Sequence, residues 1–172
     1  MNIAMNIAMN IDGGIHEIPI PTLTGRLWLC GKHFIGPNVE DVLASCDNAI
    51  AVCLVQEHEL HDRYPDYVDW HETHAGTRGI WFPIDDLSYP PLDKCIEFIT
   101  TLTDHLHAGR SLVVHCAAGI GRAGTTATAL LIMLGMNTDD ALSHVRDHRP
   151  MAGPEAGSQR DFIEELALHR GV

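Results

Sequence analysis

Four short runs rich in apolar and β-branched residues punctuate the chain, at Arg26 to Cys30, Ala49 to Val55, Gly79 to Pro83 and Ser111 to His115. Runs of this length bounded by polar or turn-forming residues predict strands. Between and after them the apolar positions recur at helical spacing. Asn38 to Cys46 reads as a short helix with Asn38 as N-cap, and Pro91 to Ala108 as a longer one carrying Ile96, Ile99, Leu102 and Leu106 on one face. Arg122 to Leu134 is apolar nearly all round, the signature of a buried helix. Thr138 to His148, capped by Thr138 and ended before Pro150, and Pro154 to His169 complete the pattern. Strands separated by helices predict an α/β layer fold around a largely parallel sheet. The stretch Glu57 to Arg78 is polar, holds His58, His61, His71 and His74, and reads as a long surface loop with room for one helical turn.

Composition narrows this picture. A chain of 172 residues, 45% hydrophobic and 20% charged, is one domain's worth of ordinary globular sequence. Its formal net charge of -12 argues against nucleic acid as a partner, so any anion site must be local. Cys30, Cys46, Cys53, Cys95 and Cys116 are odd in number with no C-x-x-C pair, which suggests neither a disulfide framework nor a zinc ribbon and points to a reducing compartment. Met1 to Asn10 repeat Met-Asn-Ile-Ala without the basic start or apolar run of a signal peptide. Residues 1–20 are therefore expected to form a flexible leader and residues 21–172 a single domain. No stretch approaches the roughly 18 to 20 apolar residues that span a bilayer, so no membrane partner and a cytoplasmic location are expected.

The chemistry concentrates after the fourth strand. Leu112-Val-Val-His-Cys-Ala-Ala-Gly-Ile-Gly-Arg-Ala-Gly-Thr125 runs from a buried strand through a glycine-bearing turn into a helix N-terminus. Gly119 and Gly121 are expected to adopt φ > 0 and wrap backbone N–H groups around an oxyanion, with the helix dipole adding positive potential. A cysteine at the start of such a loop is placed to act as a thiolate nucleophile. Arg122, at the start of the helix, is placed to grip two phosphate oxygens with its planar guanidinium.

His115-Cys116-Ala117-Ala118-Gly119-Ile120-Gly121-Arg122 resembles the H-C-x5-R signature of the protein-tyrosine phosphatase superfamily, and the strand-loop-helix context agrees with it. The resemblance implies a central, largely parallel four- to five-stranded sheet with helices on both faces. It further implies Cys116 as nucleophile, the backbone of Ala117, Ala118, Gly119, Ile120 and Gly121 together with Arg122 as the phosphate site, and His115 as a residue that holds the loop. Phe82-Pro-Ile-Asp-Asp-Leu-Ser-Tyr-Pro-Pro91 resembles the family's acid loop, in which Asp86 aligns as general acid. Asp85 is its chemical twin, but successive side chains of an extended segment point opposite ways, so one of the two reaches the site. Arg149-Pro150 followed by Gln159 is similar to the family segment whose glutamine places the hydrolytic water. The likeness spans roughly residues 24–168 and matches the small dual-specificity branch. Ala123 departs from it, since the family carries Ser or Thr there to stabilise the leaving thiolate; Thr125 and Thr126 are the nearest hydroxyls.

The implied activity is hydrolysis of phosphotyrosine, with phosphoserine and phosphothreonine, in a phosphorylated protein or peptide through a cysteinyl phosphate. Such chemistry needs no cofactor. No metal is expected either: the pairs His58 and His61, His71 and His74, and His105 and His107 lack local cysteine ligands or an H-E-x-x-H arrangement. Readings from other classes are a rhodanese-like sulfurtransferase, a small arsenate reductase and a phosphoprotein-binding module that has lost turnover. The retained Cys116 and candidate acid disfavour the last, and the position of Cys116 far into the chain disfavours the reductase. Cys53 is a candidate partner for Cys116 under oxidation.

Overall fold

The computed structural model describes residues 13–171. The Met1 to Asn10 repeat lies outside the described residues. Five strands form one sheet in the order β1-β2-β5-β3-β4: β1 (Ile15–Ile18), β2 (Leu27–Gly31), β3 (Ile50–Cys53), β4 (Gly79–Trp81) and β5 (Leu112–Cys116). All pairings are parallel except that of β1 with β2. Every residue of β2, β3 and β5 is buried, so both faces of the central sheet are covered, as the continuous apolar runs require. The helices that cover it are α1 (Lys32–Ile35), α2 (Val39–Ser45), α3 (Pro65–His74), α4 (Leu92–His107), α5 (Gly121–Met133), α6 (Thr138–His148) and α7 (Gly157–Arg170).

The hub is α5. It packs against β5 and β2 and is flanked by α4, α6 and α7, and it is buried from Gly121 through Ile132. Small residues make this possible: a Cβ on Gly124 would collide with the backbone of Gly153, so glycine lets that loop lie directly on the helix. On the sheet, α2 packs against β3 and α3 against β4. Among the described residues, no helix is long and apolar enough to cross a membrane.

Three expectations are corrected. Residues 15–18, assigned to a leader, form β1, whose partners Ile15↔Cys30 and Ile18↔Leu27 add it to the sheet edge. Polar His16 and Glu17 sit between the buried Ile15 and Ile18, so this four-residue strand carries no period-two signal. Glu57 to Arg78, expected as a loop, holds a 3-10 turn at Glu57–Glu59 and the whole of α3. Pro65 opens that helix, but only Tyr67, Val68 and His71 of it are buried, which is too narrow a stripe to read as amphipathic. Finally, Asn137 rather than Thr138 caps α6, accepting from Asp140 N–H at 2.9 Å, and Asn38 makes no cap bond.

Ile18 is fully buried. Ile18→Ala is expected to lower unfolding free energy by about 2–5 kcal/mol, measured by urea denaturation; an unchanged midpoint would mean that the segment is a leader after all.

Candidate active site

The loop after β5 is shaped by what its carbonyls are tied to. Ala117 O accepts from Lys32 N–H at 3.0 Å, and Ile120 O from Gly124 N–H at 2.9 Å and Gly153 N–H at 3.2 Å. Arg149, buried beneath, donates from Nη2 to Ala118 O at 2.8 Å and from Nε to Gly119 O at 2.7 Å. A trans peptide points its C=O and N–H in opposite directions, so holding the carbonyls outward turns the amides inward. The N–H groups of Ala117 through Arg122 meet no acceptor among the described residues. They form a concave set of donors at the start of α5, reinforced by its dipole.

Gly119 has φ of 73°, and a Cβ there would strike Cys30 O. Gly121, expected to share that conformation, does not have a positive φ; its missing side chain instead makes room for the Glu155 carboxylate, which a Cβ would meet. Cys116 ends β5 with 3% of its surface exposed. His115 is fully buried, with Nδ1 3.3 Å from Cys116 O and Nε2 2.8 Å from the Tyr67 hydroxyl. A carbonyl only accepts, so Nδ1 carries the proton and Nε2 accepts from Tyr67. Burial, aided by nearby His71, lowers the His115 pKa to about 3, which keeps the ring neutral and makes it a brace for the strand end.

Arg122 is equally buried, and its end-on edge is held by Glu59. Nη1 and Nη2 donate to the two carboxylate oxygens at 2.8 and 2.9 Å, and Nη1 also donates to Ile84 O at 2.8 Å. Nε–H has no acceptor among the described residues, and Asp86 Oδ1 lies 3.3 Å from Nη2. Nε and the second Nη2 hydrogen are thus left to the exposed Asp86 carboxylate alone, and they can make a bidentate contact to an anion that displaces it. Burial pushes the Glu59 carboxyl up, but the Arg122 bonds and the Gln56 N–H bond outweigh it and the net shift is downward.

The two aspartates separate cleanly. Asp86 is on Arg122, with a side chain 70% exposed, and Asp85 accepts from Gln56 Nε2 at 3.0 Å. Leu87, next in the chain, is exposed with φ of 55°, an uncommon conformation for a bulky residue. Gln159 is fully buried: Oε1 accepts from Glu155 N–H at 2.7 Å, and Nε2 lies 3.4 Å from Ser88 O and beside Gly121. Ala123 is buried, and Thr126 is no substitute for a hydroxyl at that position, because its Oγ1 donates to Arg122 O at 2.9 Å and pairs with Tyr89. Thr125 Oγ1 is buried without a partner among the described residues.

The structure thus brings Cys116, the loop, Arg122, Asp86 and Gln159 to one place. Sequence reasoning missed Glu59 and the strap role of Arg149. Glu59 had a legible signal in Gln56-Glu57-His58-Glu59, a capping box in which Gln56 N–H donates to Glu59 Oε2 at 2.9 Å. Arg149 was visible only as part of the family segment.

Fold and site together define a cysteine-based phosphatase architecture. Residues 44–166 match the family model of the dual specificity phosphatase catalytic domain, and the chain belongs to that family. Mouse dual specificity protein phosphatase 8 is 42% identical over 106 residues, covering 58% of this chain and 14% of that protein. Dual specificity protein phosphatase 1 of Arabidopsis thaliana is 39% identical over 75 residues, covering 43% and 34%. The chain matches only a small part of either relative's length. Among solved structures, kinase associated phosphatase with its catalytic cysteine replaced by serine superimposes with a TM-score of 0.72 at 20% identity, covering 92% of this chain and 96% of that one. A mutant form of Tk-PTP gives 0.68 at 27% identity, covering 84% and 91%.

Glu59→Ala strands a buried arginine and is expected to cost about 3 kcal/mol or more in urea unfolding at pH 7. Because the folded Glu59 pKa is depressed, its contribution is present above the unfolded value of about 4.3 and lost as pH falls through the folded value. The gap between wild type and variant should begin to narrow near about pH 4.3 and close only below the lower, folded value; a pH-independent gap would refute the pairing.

Proposed function

We propose that the protein hydrolyses phosphotyrosine, with phosphoserine and phosphothreonine, in phosphorylated proteins through a cysteinyl-phosphate intermediate. The observation that carries this is the inward-turned amide loop around Cys116 with one edge of Arg122 available beside it. The Cys116 thiolate attacks phosphorus while the loop amides and Arg122 hold the three equatorial oxygens. Asp86, close to Arg122 and exposed enough to meet a leaving group, gives its proton to the departing oxygen. A water then opens the cysteinyl phosphate, with Asp86 as base; Gln159 positions that water only by releasing its bonds to Glu155 N–H and Ser88 O. The positive charge this reaction requires comes from Arg122 and the helix terminus, so no cofactor has to be added.

The substrate reading rests on what lines the loop. Ala117, Ala118 and Ile120 offer no cation to a multiply charged inositol head group, which favours a single phosphate on a protein. A solved neighbour, PTPMT1, has been crystallised with PI(5)P, but at 18% identity it shares the fold alone. With 11 Lys and Arg against 23 Asp and Glu, an acidic target peptide is disfavoured. The five free cysteines fit work in a reducing, cytoplasmic setting. Ala123 favours a second reading, a phosphoprotein-binding module, because the thiolate loses a stabilising hydroxyl when the intermediate is hydrolysed.

Hydrolysis of p-nitrophenyl phosphate in EDTA between pH 5 and 8 is expected to vanish in Cys116→Ser and to fall by about 10²–10⁴-fold in Asp86→Asn, with Asp85→Asn near wild type. Damage from Asp85→Asn instead would reassign the acid. A pre-steady-state burst is expected, and Ala123→Ser should diminish it by speeding the second step; absence of turnover with vanadate still binding would make the chain a binding module.

A further inference from the structure

A second cluster of ligand-type side chains lies where β3 and β5 end, and it shares His115 with the base of the phosphate loop. β3 and β5 are neighbours with Cys53 paired to His115 in register, and α3 lays His71 against them. Cys53 Sγ, one ring nitrogen of His71 and one of His115 all lie within 4.8 Å of one another, and all three residues are buried. His71 is 2% exposed, yet neither Nδ1 nor Nε2 has a hydrogen-bond partner among the described residues. A neutral imidazole carries one donor and one acceptor, and leaving both unpaired at this depth is unfavourable. The Cys53 thiol is also weakly engaged, its hydrogen bond to Val55 O being 4.0 Å long. The rings of Tyr67, Trp70 and Trp81 pack around His71 at 4.7, 5.2 and 5.5 Å between centroids and shield it from water.

We propose that Cys53, His71 and His115 form a buried site for a thiophilic d10 cation, Zn²⁺. A thiolate with two imidazoles is a zinc donor set, and His115 joins it by turning its Nε2 lone pair from the Tyr67 hydroxyl, 2.8 Å away, to the ion. On binding, a metal–sulfur bond forms as Cys53 releases its thiol proton to solvent, and no oxidation state changes. Zinc–ligand distances of about 2.0–2.3 Å require the three donors to draw together by about an ångström. The ion satisfies the unpartnered His71 and staples α3 to the two central strands through His115, the residue that precedes Cys116. Local spacing excluded such a site because the ligands come from three separate elements.

The test is a titration of chelator-treated, full-length protein with Co²⁺ followed by displacement with Zn²⁺. One cobalt per chain with a thiolate-to-cobalt charge-transfer band is expected, retained in Cys116→Ser and lost in Cys53→Ala. In His71→Gln the Zn²⁺ affinity should fall by more than about 100-fold, beyond the loss typical of outer-shell changes; this variant decides the matter should Cys53→Ala fail to fold. No charge-transfer band in the wild type, a band that survives Cys53→Ala, or one lost in Cys116→Ser would overturn the proposal, the last assigning the metal to the phosphate loop.

Discussion

The outward tethering of the Ala117 to Ile120 carbonyls is the constraint from which the rest of the site follows. Backbone amides left without acceptors are unfavourable, and a free chain would close them into a turn or the first helical bonds. Arg149 prevents this by taking Ala118 O and Gly119 O, while Lys32 N–H and Gly153 N–H hold Ala117 O and Ile120 O. Arg149 is itself fixed on its far side by Gly14 O and His16, so the edge strand β1 braces the loop from behind. An oxyanion presented to such a loop meets donors that need no rearrangement, which is the condition for electrostatic stabilisation of a phosphoryl transition state.

Charge is balanced locally in a chain whose overall charge is strongly negative. The buried Arg122 would be costly alone, and Glu59 offsets it through a two-point contact that also fixes the plane of the guanidinium. That contact leaves Nε without a partner among the described residues, and the exposed Asp86 lies 3.3 Å from Nη2, where the proposed phosphate would bind. Rigid pairing on one side and an accessible carboxyl on the other suit a clamp that must stay fixed while the acid approaches different leaving groups.

Much of this was legible in the sequence, and the failures have physical reasons. β3, β5 and α4 announce themselves because burial on their faces imposes a pattern, and Cys116 and Arg122 because the proposed phosphate loop needs those residues at that spacing. β1 was hidden because four residues at a sheet edge need only two apolar contacts. α3 was hidden because aromatic and histidine packing, centred on Tyr67 and His71, replaces an aliphatic stripe. Gly121 shows a subtler limit: glycine was read as backbone freedom where the fold uses it as space for Glu155. Glu59 acts through a contact 63 residues along the chain, which no local pattern encodes beyond its own capping box.

The central claim is that Cys116 carries the phosphoryl group between the two chemical steps. Acid quench of the protein during turnover, followed by peptide mass mapping, tests it directly. A single phosphoryl adduct on the peptide containing Cys116, absent in Cys116→Ser, is the predicted result. Turnover with no adduct on that peptide, or with an adduct on another residue, would contradict the account.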